Sequence, residues 1–263
     1  MANIVIEFYS NCLRRPVQFK MLIPNDFNDS WQPEQKRKGR PMKTIMLLHG
    51  YTGAAGNWIP EHLATLYNFA IVMPNGENGF WVDGISTGHQ YGTFLTEELP
   101  GYLRRTFGLC QSADDTYVMG LSMGGYGALR AALASPETYG KAVALSPAII
   151  IHSRAHMQPG EPDSHANYEY YRECFGDLEV VERSRNNPEV LVDELLASGR
   201  KLPEMYIAIG TEDFLLSNNR VFHDFLVSRG VSHTYEESAG SHDMAFWDEW
   251  TRRFIPMLFE GEE

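Results

Sequence analysis

Five short stretches, residues 44–48, 70–73, 116–119, 142–145 and 205–209, are almost uninterrupted apolar runs, each closed by a loop. A strand with one wet face alternates apolar and polar residues, so a strand that is apolar throughout must be covered on both sides. A parallel sheet with helices on both faces meets that requirement. Helix-like segments fall where its crossovers belong, at 93–107, 123–134, 218–229 and 244–259. In the third of these, Val221, Phe222, Phe225 and Leu226 share one stripe and Gly230 stands at the stop position. Residues 233–237 add a strand. Residues 3–9 and 17–23 alternate partly and are joined by a short polar link, the pattern of an antiparallel hairpin at a sheet edge. The predicted fold class is α/β, a mostly parallel doubly wound sheet with right-handed crossovers.

Two segments break the rhythm. Residues 25–43 are polar, with Lys36, Arg37, Lys38 and Arg40 beside Pro33 and Pro41, and read as a solvated loop. Residues 150–202 separate two late strands where one helix would suffice, so a small cap insertion is predicted there, within one domain covering residues 1–263.

With 43% hydrophobic residues the chain can bury a core large enough to exclude global disorder. The formal charge of −12 repels polyanions, so nucleic acid is not an expected partner. Cys12, Cys110 and Cys174 are odd in number and far apart, which suggests neither a disulfide framework nor a zinc knuckle. The first residues lack the basic start and apolar block of a signal peptide, and no apolar run approaches the ~20 residues of a membrane span. A soluble, cytoplasmic protein is expected, with homo-oligomerisation left open.

Gly120-Leu121-Ser122-Met123-Gly124 lies between the predicted strand at 116–119 and the helix at 123–134. A serine on such a strand-to-helix turn is held with its hydroxyl exposed, and the flanking glycines remove side chains that would collide. Ser122 is therefore the candidate nucleophile. It needs a base, and the base needs an acid to orient it. Asp213 follows the strand at 205–209, at the carboxyl edge where site residues of an open α/β sheet collect; Glu212 is the adjacent competitor. His242, in the small-residue loop Ser238-Ala239-Gly240-Ser241-His242, is the candidate base, with His223 and His233 as rivals placed in a helix and a strand. Backbone amides should stabilise an oxyanion: that of Met123, and that of Tyr51 in His49-Gly50-Tyr51-Thr52-Gly53, with Thr52 the second choice. His49 reads as a loop-shaping residue.

Trp58, Trp81, Tyr168, Tyr170 and Phe175 are candidate substrate contacts, since aromatic rings can wall an acyl or alcohol pocket; cap or core packing is the competing reading. His152, His156 and His165 with Asp163 invite a metal, but Pro159 and Pro162 interrupt a ligand helix. Neither metal nor cofactor is expected.

At these residues the chain resembles the esterase branch of the α/β hydrolases, which holds S-formylglutathione hydrolases, tributyrin and acetyl esterases, feruloyl esterases and mycolyltransferases. The resemblance runs over nearly the whole chain, through Leu47-Leu48-His49-Gly50, Val72-Met73-Pro74-Asn75, the glycine-rich stretch from Gly120 to Gly127, Asp213-Phe214 and Ser238 to His242. It is strongest towards small bacterial tributyrin and acetyl esterases. It implies an α/β-hydrolase fold, a triad of Ser122, Asp213 and His242, oxyanion amides at Tyr51 and Met123, and a small-molecule ester as substrate. S-formylglutathione hydrolase and feruloyl esterase are the alternatives. The former usually has Gly-Leu-Thr-Cys where this chain has Gly50-Tyr51-Thr52-Gly53, and commonly His in place of Tyr126. An inactive hydrolase-fold binding protein is the reading from another class.

Overall fold

The computed structural model describes residues 1–24 and 41–261, so the polar segment expected at 25–43, with its basic run from Lys36 to Arg40, lies almost wholly outside the described residues. Eight strands form one sheet in the order β1-β2-β4-β3-β5-β6-β7-β8. They are β1 (Ala2–Ser10), β2 (Arg15–Ile23), β3 (Lys43–Leu48), β4 (Phe69–Pro74), β5 (Thr116–Leu121), β6 (Lys141–Leu145), β7 (Glu204–Gly210) and β8 (Thr234–Ser238). The expected edge hairpin is present: β1 pairs antiparallel with β2, Ala2 opposite Ile23, and β2 runs antiparallel to β4. Every other pairing is parallel.

The helices are α1 (Glu61–Tyr67), α2 (Tyr91–Thr93), α3 (Leu99–Phe107), α4 (Met123–Ala134), α5 (Ile151–Arg154), α6 (Tyr168–Phe175), α7 (Pro188–Ser198), α8 (Leu216–Ser228) and α9 (Met244–Met257). They cover both faces, as the apolar strands require. In β3, Met46 and Leu48 enter the layer built with α3, α4 and α8, while Ile45 and Leu47 enter the layer built with α1 and α9. Among the described residues no helix is long and apolar enough to cross a membrane.

The helix expected at 93–107 begins earlier and is interrupted by a π-helical turn at Phe94–Glu98. In this wide turn the Leu99 amide donates to the Phe94 carbonyl five residues back, and the next donor in that pattern, to Leu95, would be Pro100, which has no N–H. The Leu95 carbonyl within the wide turn instead accepts from the Tyr139 hydroxyl at 2.6 Å.

Between β6 and β7 the chain forms α5, α6, a 3₁₀ turn at Val181–Arg183, and α7. Because α7 packs on α4 and α8, it serves as the crossover helix, and the extra chain amounts to residues 150–187. Asn167 and Asn187 cap α6 and α7 by accepting from the amides of Tyr170 and Glu189.

His152 fastens α5 to this segment. Its Nδ1 lies 2.6 Å from Glu182 and its Nε2 2.9 Å from Glu189. A neutral imidazole donates from one nitrogen only, whereas the imidazolium serves both carboxylates. Partial burial pulls the His152 pKa down, but the hydrogen bonds to the two carboxylates outweigh it and the net shift is upward. The folded pKa therefore exceeds the unfolded one. The clamp stabilises fully below the ordinary histidine value and is lost as pH rises through the raised one. Amide exchange in α5, corrected for intrinsic rate, should be slower at about pH 6 than at about pH 9, and His152→Ala should abolish the difference. Equal protection at both pH values would refute the clamp.

Candidate active site

Ser122 sits between β5 and α4 with φ 54° and ψ −119°, a strained conformation held from several sides. Its amide donates to Leu145 O at 2.8 Å, and its carbonyl accepts from the amides of Tyr126 and Ala148. The turn is too crowded for side chains at the flanking glycines. A Cβ on Gly124 would stand 2.0 Å from the Leu48 carbonyl oxygen, and one on Gly120 would stand 2.1 Å from that of Gly124.

The Ser122 hydroxyl lies 2.9 Å from His242 Nε2, and His242 Nδ1 lies 2.8 Å from Asp213 Oδ2. A carboxylate accepts only, so Nδ1 carries the proton and the Nε2 lone pair faces the serine. The Asp213 side chain is fully buried at the end of β7, and its Oδ1 accepts from the Leu215 amide at 2.9 Å. The sequence-predicted nucleophile, base and acid thus come together in one hydrogen-bonded line.

The competitors are occupied elsewhere. Glu212 is exposed and accepts from the Gly240 amide at 2.6 Å and the Thr211 hydroxyl at 2.8 Å, bracing the loop that carries His242. Those hydrogen bonds, the Gly240 amide first, hold its carboxyl below the usual range. His223 and His233 bond to each other at 2.8 Å.

His49 is buried and shapes the loop after β3. Its Nε2 accepts from the Gly76 amide at 3.0 Å, so Nδ1 donates to the Gly50 carbonyl at 2.8 Å. Burial lowers its pKa and keeps the ring neutral. Gly50 O also accepts from Gly53 N. In a trans peptide the N–H points opposite to the preceding C=O, so the Tyr51 N–H is turned away from this cluster. The Thr52 amide donates to Asn78 Oδ1 at 2.8 Å, which takes the second-choice donor out of contention. Met123 is the first residue of α4, where an amide has no intrahelical acceptor.

Ser122 opens onto a cavity of about 230 Å³ walled by Tyr51, Phe80, Ile150, Tyr170 and Leu215, among others. Arg154 reaches its wall, but its guanidinium lies 2.7 Å from Asp163 and over the Tyr171 ring, so the charge is compensated.

Of the five predicted aromatic contacts only Tyr170 lines this space. Trp81 is fully buried beneath the site and donates from Nε1 to His49 O at 3.2 Å, so it has no face left for a ligand. Trp58 packs against the layer of α1 and α9. Phe175 is wedged against Phe80 and Tyr126, with ring centroids 4.9 and 6.1 Å away, and Tyr168 packs half-buried on the same core. These four belong to packing. Among the described residues no three His, Cys, Asp or Glu side chains are grouped to hold a metal ion.

One neighbour of the base escaped sequence reasoning. Phe214, 59% exposed, lies 4.7 Å from the His242 ring and 5.3 Å from that of His165, while Trp247 meets His242 edge-on at 4.9 Å. The only sequence signal was its place beside Asp213.

Comparison with known proteins bears on this centre. The sequence model of the family described as "Putative esterase" matches residues 10–260. An acetyl esterase from Caldicellulosiruptor saccharolyticus is 35% identical, over 99% of this chain and 97% of its own length. Among solved structures, the apoenzyme of an S-formylglutathione hydrolase from Staphylococcus aureus superposes with a TM-score of 0.80 at 27% identity, covering 98% of each chain. A fluorophosphonate-binding serine hydrolase from the same organism gives 0.81 at 26%, again over 98% of both. The sheet order and these superpositions make the fold that of the α/β hydrolases.

Proposed function

This chain belongs to the esterase family matched over residues 10–260, and on that premise we propose that it is a serine carboxylesterase hydrolysing short-chain acyl esters through an acyl-enzyme on Ser122. The observation that carries the reading is the line Ser122–His242–Asp213, at 2.9 and 2.8 Å, opening onto a cavity of about 230 Å³.

In this reading Ser122 Oγ attacks the ester carbonyl while His242 Nε2 takes its proton, and Asp213 stabilises the resulting imidazolium. The Tyr51 and Met123 amides receive the oxyanion, a contribution of roughly 10²–10³ in rate per donor. His242 then protonates the departing alcohol, activates a water against the acyl-enzyme, and returns the proton to Ser122. Residues 150–187 form a cap over this chemistry. Acetyl is the favoured acyl group, on the small cavity and the similarity to an acetyl esterase. The three free cysteines suit a reducing compartment such as the cytoplasm.

A fluorophosphonate probe should label the protein once, at Ser122, and p-nitrophenyl acetate and butyrate should be turned over. Label on another residue would move the nucleophile there, and no label would leave a binding protein on a hydrolase scaffold; either defeats the reading. S-formylglutathione belongs in the same panel because of the similarity to the staphylococcal hydrolase. Its turnover well above that of the acetate ester would move the assignment to that branch.

A further inference from the structure

On the far side of Tyr170 lies a second cavity, of about 170 Å³, with Asn78, Gly79, Gly84, Tyr91 and Cys174 in its walls. Among the described residues Tyr170 alone lines both this cavity and the one into which Ser122 opens. Its ring is fixed from α6 to the loop after β4: the hydroxyl donates to Asn78 O at 2.5 Å, and the Tyr51 and Tyr171 ring centroids stand 5.6 and 5.4 Å away. Asn78 is anchored in turn, since its Oδ1 accepts from the Thr52 amide.

We propose that Tyr170 is the specificity-determining residue of the site, a partition that confines it to short chains and seals off a cavity fitted to the far end of a longer aliphatic chain.

The chemistry of the second cavity follows from how its polar groups are spent. Two carboxylates border it, and each of their oxygens already has a donor. Glu77 accepts from Arg15 and from the Tyr91 hydroxyl, and Glu173 accepts from the amide and hydroxyl of Ser86 and from His89. The rest of the lining is ring surface from Tyr91 and Tyr170, the bare backbone of Gly79 and Gly84, Asn78 and Cys174, with the exposed His89 at the rim. An alkyl chain can lie along those rings and that backbone without stranding a polar group, since the carboxylates keep their donors at the rim. The ester carbonyl stays at Ser122 and the chain passes through the position of the Tyr170 ring, so the inference rests on the esterase reading above.

Tyr170→Ala should join the two cavities, while Tyr170→Phe keeps the ring and loses only the hydrogen bond. Measured as kcat/KM against p-nitrophenyl acetate, turnover of p-nitrophenyl octanoate or of octyl acetate should rise at least about tenfold in Tyr170→Ala, the discrimination carried by about one well-packed methylene, and stay within about threefold in Tyr170→Phe. A gain with the octanoate places the chain on the acyl side, and a gain with octyl acetate on the alkoxy side. Adding Cys174→Phe, which fills the second cavity, should cancel the gain. Tyr170→Leu, with the same criterion, replaces the alanine variant should that one not fold. The proposal is overturned if the shortened variants label at Ser122 like wild type and both ratios stay within about twofold of wild type, or if the gain survives Cys174→Phe. Failure of the wild-type protein to label would instead remove the esterase reading itself, and this inference with it.

Discussion

Ser122→Ala is expected to lower kcat for p-nitrophenyl acetate by about 10⁶ while leaving the melting temperature close to that of wild type. The size follows from the chemistry: without Oγ no acyl-enzyme forms, and His242 and the two amides retain only the residual catalysis of a bound, polarised ester. The structure gives three reasons for the fold to survive. Ser122 holds its place through main-chain bonds to Leu145, Tyr126 and Ala148, none of which involves the hydroxyl. Alanine has the same Cβ as serine, so the strain at φ 54° is unchanged. The hydroxyl's partner, His242, stays anchored to Asp213. Turnover within tenfold of wild type in a pure, folded variant would mean that the chemistry belongs to another residue.

The fold was legible wherever apolar sequence had to be covered on both faces. The runs around Ile45, Ile71, Val118, Val143 and Ile207 are the buried strands β3 to β7, because a parallel sheet under two helical layers has little room for polar side chains, and the buried Lys43, Thr44 and Thr116 stand at the strand starts. α1 is short and bears Glu61 and His62 on its outer side, so no period stood out. Pro100 stands inside the helix expected at 93–107, and its missing N–H is accommodated by a wide turn and by Tyr139, a partner 44 residues beyond Leu95 in the chain.

The reactive line was legible for a different reason: the Gly120–Gly124 turn marks Ser122, and strand ends converge at one edge of the sheet, so the loops carrying Asp213 and His242 could be placed beside it. The aromatic wall could not. Tyr171, Cys174, Phe175 and Leu178 follow i, i+3, i+4, i+7 spacing and form the buried stripe that begins in α6; Tyr171 borders the first cavity and Cys174 the second, and Tyr170 stands beside the stripe between the two. A cluster of tyrosines read without that period looks like a pocket throughout. Trp81 misled similarly. Gly127 lets α4 approach the Trp81 ring, which would stand 2.6 Å from a Cβ there, and nothing in the sequence linked the two positions.

Asp213→Asn is expected to lower kcat by about 10⁴ and Glu212→Gln by less than tenfold, although the two carboxylates are adjacent. The difference lies in what each oxygen does. Asp213 Oδ1 is needed by the Leu215 amide, so an asparagine here must keep its carbonyl oxygen on that side and turn its NH₂ towards His242. A donor facing Nδ1 forces the imidazole proton onto Nε2, which then presents N–H rather than a lone pair to Ser122 and cannot take the serine proton. Geometry survives while the tautomer is wrong, so KM should change little. At Glu212 the exposed carboxylate only accepts, from Gly240 and Thr211, and a glutamine oxygen can still brace the loop. Steady-state kinetics on the two variants, with fluorophosphonate labelling rates as a second readout, decide the matter. A large loss in Glu212→Gln beside a mild one in Asp213→Asn would transfer the orienting function to Glu212 and require the His242 loop to rearrange in solution.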